Sequence, residues 1–237
     1  MAEDIAPALL EKVEKNFHGR LEKMGATKSA MLKRVRDGTA RSLTTYTEKV
    51  GKALSMAFVD EITPEVLPNG VFYYNIAVKV VVPPIKEAHG IVNEVASEMQ
   101  VKNNKKAGIN LKSIRPPIEM DRVDGIVELL VNGEFADNIH YLVEPIKNIV
   151  DHFGDYHTEK NAEFLSNTGV EITITRTSEA NACEWCRERD GVYHSYREAS
   201  DNEVFARHEG CRCEIEIQGG GTSGKMRAKG HAFVRTT

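Results

Sequence analysis

The feature that most constrains this chain is the placement of its cysteines. There are four in 237 residues, and all lie between Cys183 and Cys213. They fall into two close pairs, Cys183-Glu-Trp-Cys186 and Cys211-Arg-Cys213, with His208 three residues before the second. A C-x2-C pair on a tight turn offers two thiolates to one tetrahedral metal ion, and a second pair about 25 residues on can complete the site. Five side chains, Cys183, Cys186, His208, Cys211 and Cys213, therefore compete for four ligand positions. If 211–217 is a strand, Cys211 and Cys213 share a face with Arg212 opposite. The pattern leaves open whether Cys213 ligates while Cys211 packs, whether both ligate, or whether His208 replaces one.

The setting favours metal over disulfides. The opening residues Met-Ala-Glu-Asp-Ile carry no basic region followed by an apolar run, so no secretory signal is expected. The longest apolar run, near Ile76 to Val82, is interrupted by Lys79 and far too short to span a bilayer. A chain made in a reducing cytosol uses clustered cysteines for metal more readily than for bridges. Zinc is the expected ion. A closed set of protein ligands has no open position for water, so the role is structural rather than catalytic. The region from 170 to 217 has few large apolar side chains, and zinc would supply folding free energy that so small a core lacks.

Ahead of that module the chain reads as helical, which makes the expected fold class α+β: a mostly helical body over about 1–169, then the β-containing module. Ile5, Leu9, Val13, Phe17, Leu21 and Met24 make one amphipathic stripe. A second helical stretch runs from Lys28 to Ile62 with a break at Asp37-Gly38. The segment 71–82 alternates like a strand and is β-branched, which favours a strand over a buried helix. Pro83-Pro84 ends it or opens the helix that carries Ala88, Ile91, Val92, Val95 and Met99. A polar basic loop is expected at 102–108, a helix at 121–131, and a long helix over 136–153 kinked at Pro145. A separate helical piece follows near 159–165, with a break at Gly154. Strands are expected at 170–175, 192–194 and 211–217. The tail from 218 to 237 opens with glycines and carries Lys225, Arg227, Lys229 and Arg235 without an acid, as a flexible basic extension does.

The pattern Cys-x-x-Cys-x4-Gly followed by His-x-x-Cys-Arg-Cys resembles the C-terminal module of the phage Mu F-like minor head proteins of tailed phages. The matching residues are Cys183, Cys186, Gly191, His208, Cys211, Arg212 and Cys213, and Thr175-Arg176-Thr177 resembles the strand that leads into the first cysteine. Members often place a proline on each side of the histidine, where Ala206 and Glu209 stand here. The resemblance implies a structural, non-enzymatic virion protein. It would act in head morphogenesis beside the portal or major capsid protein, be assembled in the host bacterial cytoplasm, and have no membrane partner. Some members carry a further toxin or transferase domain after the module, and the residues after Ile217 are too few for one.

Three other features carry weaker chemistry. Asp151-His152, Asp155 and His157-Thr-Glu159 gather carboxylates and imidazoles, and read as a solvated helix end rather than as acid–base machinery. Pairing of a cysteine with a histidine also suggests a nucleophile and its base, but ligation accounts for all four cysteines and catalysis for one. Lys28, Lys33, Arg34, Arg36 and Arg41 read as a solvated helix face, with a phosphate-contacting surface as the alternative. The net charge of −4 excludes a globally basic nucleic-acid binder. Trp185 is expected to pack over the cysteine site. The alternatives to the head-protein reading are a zinc-dependent nucleic-acid enzyme drafting His194 or His208, and an assembly factor that contacts phage DNA through the basic segments.

Overall fold

The computed structural model describes residues 4–208 and 210–219. The expected basic tail lies outside the described residues beyond Gly219.

Seven α-helices form the body: α1 (Ala6–Lys23), α2 (Lys28–Asp37), α3 (Leu43–Glu61), α4 (Tyr74–Lys106), α5 (Met120–Val131), α6 (Phe135–Asn138) and α7 (Glu144–Asn167). The apolar stripe of α1 is buried as its spacing predicts, from Ala6 through Leu9, Val13 and Phe17 to Leu21. Ser42 caps α3 by accepting from the Thr45 amide, and Thr27 caps α2 through Ala30; each cap satisfies a donor that the helix start would otherwise leave open.

The segment 71–82 is not a strand. From Tyr74 it belongs to α4, which runs on through Pro83 and Pro84 to Lys106. The reason is position: α4 packs against α1, α2, α3, α5 and α7. A helix covered on nearly every side needs apolar residues nearly all round, so its sequence loses the 3.6-residue period that would mark it. The two prolines withhold donors from the carbonyls of Lys79 and Val80, and the burial of Val80, Val81, Val82, Ile85 and Ala88 around them offsets that loss. The expected loop at 102–108 is likewise helix as far as Lys106. Asn104 is 2% exposed and donates to the carbonyl of Leu111, which ties the chain beyond the helix back onto it.

Helix α7 corrects two further expectations. Pro145 stands in its first turn, where a missing N–H costs nothing, so it starts the helix and does not kink it. Gly154 is not a break either. It lies where α7 crosses α3, and a Cβ there would come within 2.8 Å of Thr47 Cγ2. The helix therefore runs unbroken through Asp151, Asp155 and His157, which the expectation of a helix end had placed in solvent.

After α7 come β1 (Ile172–Thr177), α8 (Glu184–Glu188), β2 (Gly191–Tyr193), α9 (Tyr196–Asp201) and β3 (Glu214–Gly219). The strands form one antiparallel sheet in the order β2-β1-β3, with Ile174 opposite Tyr193 on one side and Ile217 on the other. The fold is thus α+β, with the sheet behind a helical body. The third strand begins at Glu214, later than expected, so Cys211 and Cys213 sit in the loop before it and their spacing is not that of a strand face. The inner face of the sheet does not close on itself. Ile172, Ile174, Ala199, Val204, Phe205 and Ile217 share a buried cluster with Ala162 and Leu165 of α7 and with Ile109. The body thereby provides much of the core that the small module lacks.

Among the buried polar groups of the body, His157 is 1% exposed and bonded within a network of Ser97, Ser113 and Asn161. Burial, with Arg115 and His89 adding to it, lowers its pKa to about 4, so it folds neutral. The unfolded chain protonates it near 6.5, so its contribution is complete above that pH and is lost as pH falls toward 4. In His157→Gln, the gap in unfolding free energy from wild type should shrink by about 3 kcal/mol between pH 7 and pH 4. Urea titrations across that range check this; a gap independent of pH would refute it. Gly154→Ala should cost about 1–3 kcal/mol through overpacking against Thr47, read as a lower urea midpoint with an unchanged slope.

Candidate metal centre

Two short turns build the site. In the first, Cys183 stands at the position just before α8 and Cys186 lies one turn along it, so the C-x2-C spacing aims both sulfurs the same way. In the second, the Cys211 amide donates to the His208 carbonyl at 3.2 Å, closing a tight turn. Gly210 occupies it at φ 73°, in the left-handed region that glycine enters without a Cβ penalty. The Asp190 carboxylate holds the approach to the first turn by accepting from the Ser178 amide and hydroxyl, each at 2.5 Å.

These turns bring all five expected ligands together. His208 Nε2 lies 3.1 Å from Cys183 Sγ and 3.0 Å from Cys186 Sγ, and Cys186 Sγ lies 3.5 Å from Cys211 Sγ. The donors form two triads, Cys183–Cys186–His208 and Cys186–Cys211–Cys213, within each of which all ligand atoms lie within 4.8 Å. Cys186 belongs to both. Ligands bound at roughly 2.3 Å from sulfur and 2.0 Å from nitrogen around a tetrahedral ion stand roughly 3.5–3.8 Å apart, so these groups can hold a metal ion with small adjustments. Cys183 is exposed while Cys186, Cys211 and Cys213 are buried. His194, beyond the end of β2, is in neither triad.

The surroundings suit thiolates. Alternation along β1 turns Ile172, Ile174 and Arg176 inward, and Arg176 is 1% exposed. Its Nη1 donates to the carbonyls of Val204 and Ala206, and its Nη2 approaches Cys211 Sγ at 3.7 Å and Cys186 Sγ at 4.0 Å. Arg207 Nη1 is 4.0 Å from Cys211 Sγ. Burial alone would raise the Cys211 thiol, but hydrogen bonds from Cys213 and the charge of Arg207 outweigh it and hold the thiol below its usual range. Burial pushes the Cys186 thiol well up, so in the absence of a cation it stays protonated. Three or four thiolates on a divalent ion leave a net negative centre, and the two guanidiniums offset it. Trp185 covers the site as expected: its ring meets the His208 ring edge-on at 5.5 Å and lies under Arg189 at 3.8 Å.

The site is fastened to the body through charges that the sequence reading placed in solvent. Arg207 forms a bidentate pair with Asp155 of α7 and donates to the carbonyls of Cys211 and Cys213, both at 2.9 Å. Beside it Arg212 lies 3.5 Å from Asp151, which also accepts from the Thr47 hydroxyl at 2.7 Å. Asp151 and Asp155 are 5% and 7% exposed. Burial, partly offset by Thr47 and Arg207, raises the Asp151 pKa to about 6. A cavity of about 410 Å³ opens between α7 and the loop, with Asp151, Asp155, His208 and Cys211 in its wall. The sequence signal for this docking was present, as Asp151 and Asp155 are four apart on one face of α7 and Arg207 and Arg212 flank Cys211. What hid it was the reading of Gly154 as a helix end.

Comparison with protein-family models, with curated proteins and with solved structures finds no match. Among the described residues no helix is long and apolar enough to cross a membrane.

Breaking a buried ion pair strands the remaining charge, which typically costs 3–5 kcal/mol. Asp155→Asn should therefore lower stability by about 3 kcal/mol, and Arg207→Met by a similar amount. The double variant should be less damaged than the sum of the two. A double-mutant cycle from chemical unfolding measures the coupling, and strict additivity would contradict the pairing.

Proposed function

We propose that this chain is a structural minor head protein of a tailed phage, of the Mu F-like kind, with a zinc ion closing its C-terminal module. The observation that carries the reading is the convergence of His208 on both sulfurs of the Cys183–Cys186 turn, with Cys211 at 3.5 Å from Cys186. Zinc fits this donor set because soft thiolates and imidazole in a tetrahedral arrangement suit it. Cys186 enters every ligand set, and three of Cys183, His208, Cys211 and Cys213 complete it. Bound there, zinc would cross-link the two turns. Arg176 and Arg207 would donate to the ligating sulfurs, fixing their orientation and spreading their charge. Four protein ligands leave no position for substrate, which supports a role in assembly and not in catalysis. The same residues that resemble the family's motif are the ones gathered here, and the partner implied is the portal or major capsid protein.

Protein purified without chelator should contain about one zinc per chain by elemental analysis. Cys186→Ser should lose it and melt well below wild type, and of Cys183→Ser, His208→Ala, Cys211→Ser and Cys213→Ser the one variant that keeps zinc identifies the candidate that does not ligate. Absence of zinc, together with wild-type stability of Cys186→Ser, would remove the metal from the reading. The head assignment is tested separately by mass spectrometry of purified particles and by the neighbouring genes: portal and capsid genes beside this one support it, and their absence with no virion copy defeats it. Divalent-metal-dependent DNA cleavage abolished by His208→Ala would replace it with the enzyme reading.

A further inference from the structure

Away from the metal centre, the basic stretch that the sequence reading treated as a solvated helix face contains a built cavity. It occupies about 280 Å³ where α2 turns into α3, and Arg34, Thr39, Arg41, Thr45, Tyr46 and Lys49 line it. Three of these are cations and none is acidic. Among the described residues, none of the three cations pairs with a carboxylate within 4.0 Å. Glu94, whose charge reaches Tyr46, is paired with Lys28 at 3.1 Å.

Two of the cations are also positioned. Arg34 donates one nitrogen to the Gly25 carbonyl at 2.9 Å, which fixes its planar fork, and Lys49 reaches the Met24 carbonyl at 3.4 Å. Thr45 and Tyr46 stand in the first turn of α3, a 19-residue helix whose amino end favours negative charge. Tyr46 is 1% exposed, and its buried hydroxyl has no hydrogen-bond partner. Unpaired cations beside a helix start share one preference: a compact, multiply charged oxyanion with several acceptor oxygens.

We propose that this cavity is a phosphate-binding site, taking either a phosphodiester of nucleic acid or a free phosphate. It does not depend on the zinc reading, since none of its residues touches the cysteine site.

The test uses the full chain in two arms. Inorganic phosphate should raise the melting temperature above that in chloride at equal ionic strength, and a short duplex DNA should bind with a steep salt dependence. Arg41→Gln with Lys49→Gln should abolish the phosphate shift or weaken DNA binding about tenfold, reducing the salt slope by about two. A phosphate response without DNA binding assigns the site to free phosphate; DNA binding lost in the double variant assigns it to the polymer. Either supports the site. A double variant that matches wild type in both arms overturns it. So does a response that is lost only when Lys225, Arg227, Lys229 and Arg235 are replaced by glutamine.

Discussion

The C-terminal half of this structure depends on one buried ion pair, Arg207 with Asp155. A guanidinium that far from water is tolerable only if its donors are met, and here they are met by a carboxylate of α7 and by the carbonyls of Cys211 and Cys213. The same side chain thus holds the loop that carries two cysteines and pins that loop to the helical body. Arg176 performs the matching task from β1, bracing the chain at Val204 and Ala206 just ahead of His208. Between them the two arginines set where the second turn lies relative to the first.

That arrangement changes how the module's stability is understood. Read alone, the segment 170–217 has too little apolar surface to hold itself, and its cysteines point to a metal as the remedy. In the fold, Ala162, Leu165 and Ile109 complete its core, and α3 and α7 receive its charged residues. A metal ion held there would act locally on two turns that the fold already brings together, and Arg207 links those turns to the body.

Legibility followed the range of each interaction. The C-x2-C turn and the stripe of α1 are set by residues within a few positions of one another, and both were readable. Segment 71–82 was not, because its β-branched run answers to five helices packed around α4. Gly154 misled for a related reason. Glycine marks a break when only its own helix is considered, but here it permits the close crossing of Thr47 from α3. With that one misreading, Asp151, Asp155 and His157 moved from the interior to the solvent and the docking surface for the arginines disappeared from view.

The sequence by itself determined the donor set, the α+β class and the place where the helical body gives way to strands, since each is written in short-range spacing and periodicity. Only the tertiary structure decided that Cys186 lies at the centre of the donor set and that Arg176 and Arg207 stand against its sulfurs. It also brought the cations of α2 and α3 around one cavity without a countercharge. These outcomes come from packing helices and loops distant in sequence, where a charge finds its partner by geometry and not by its place in the chain.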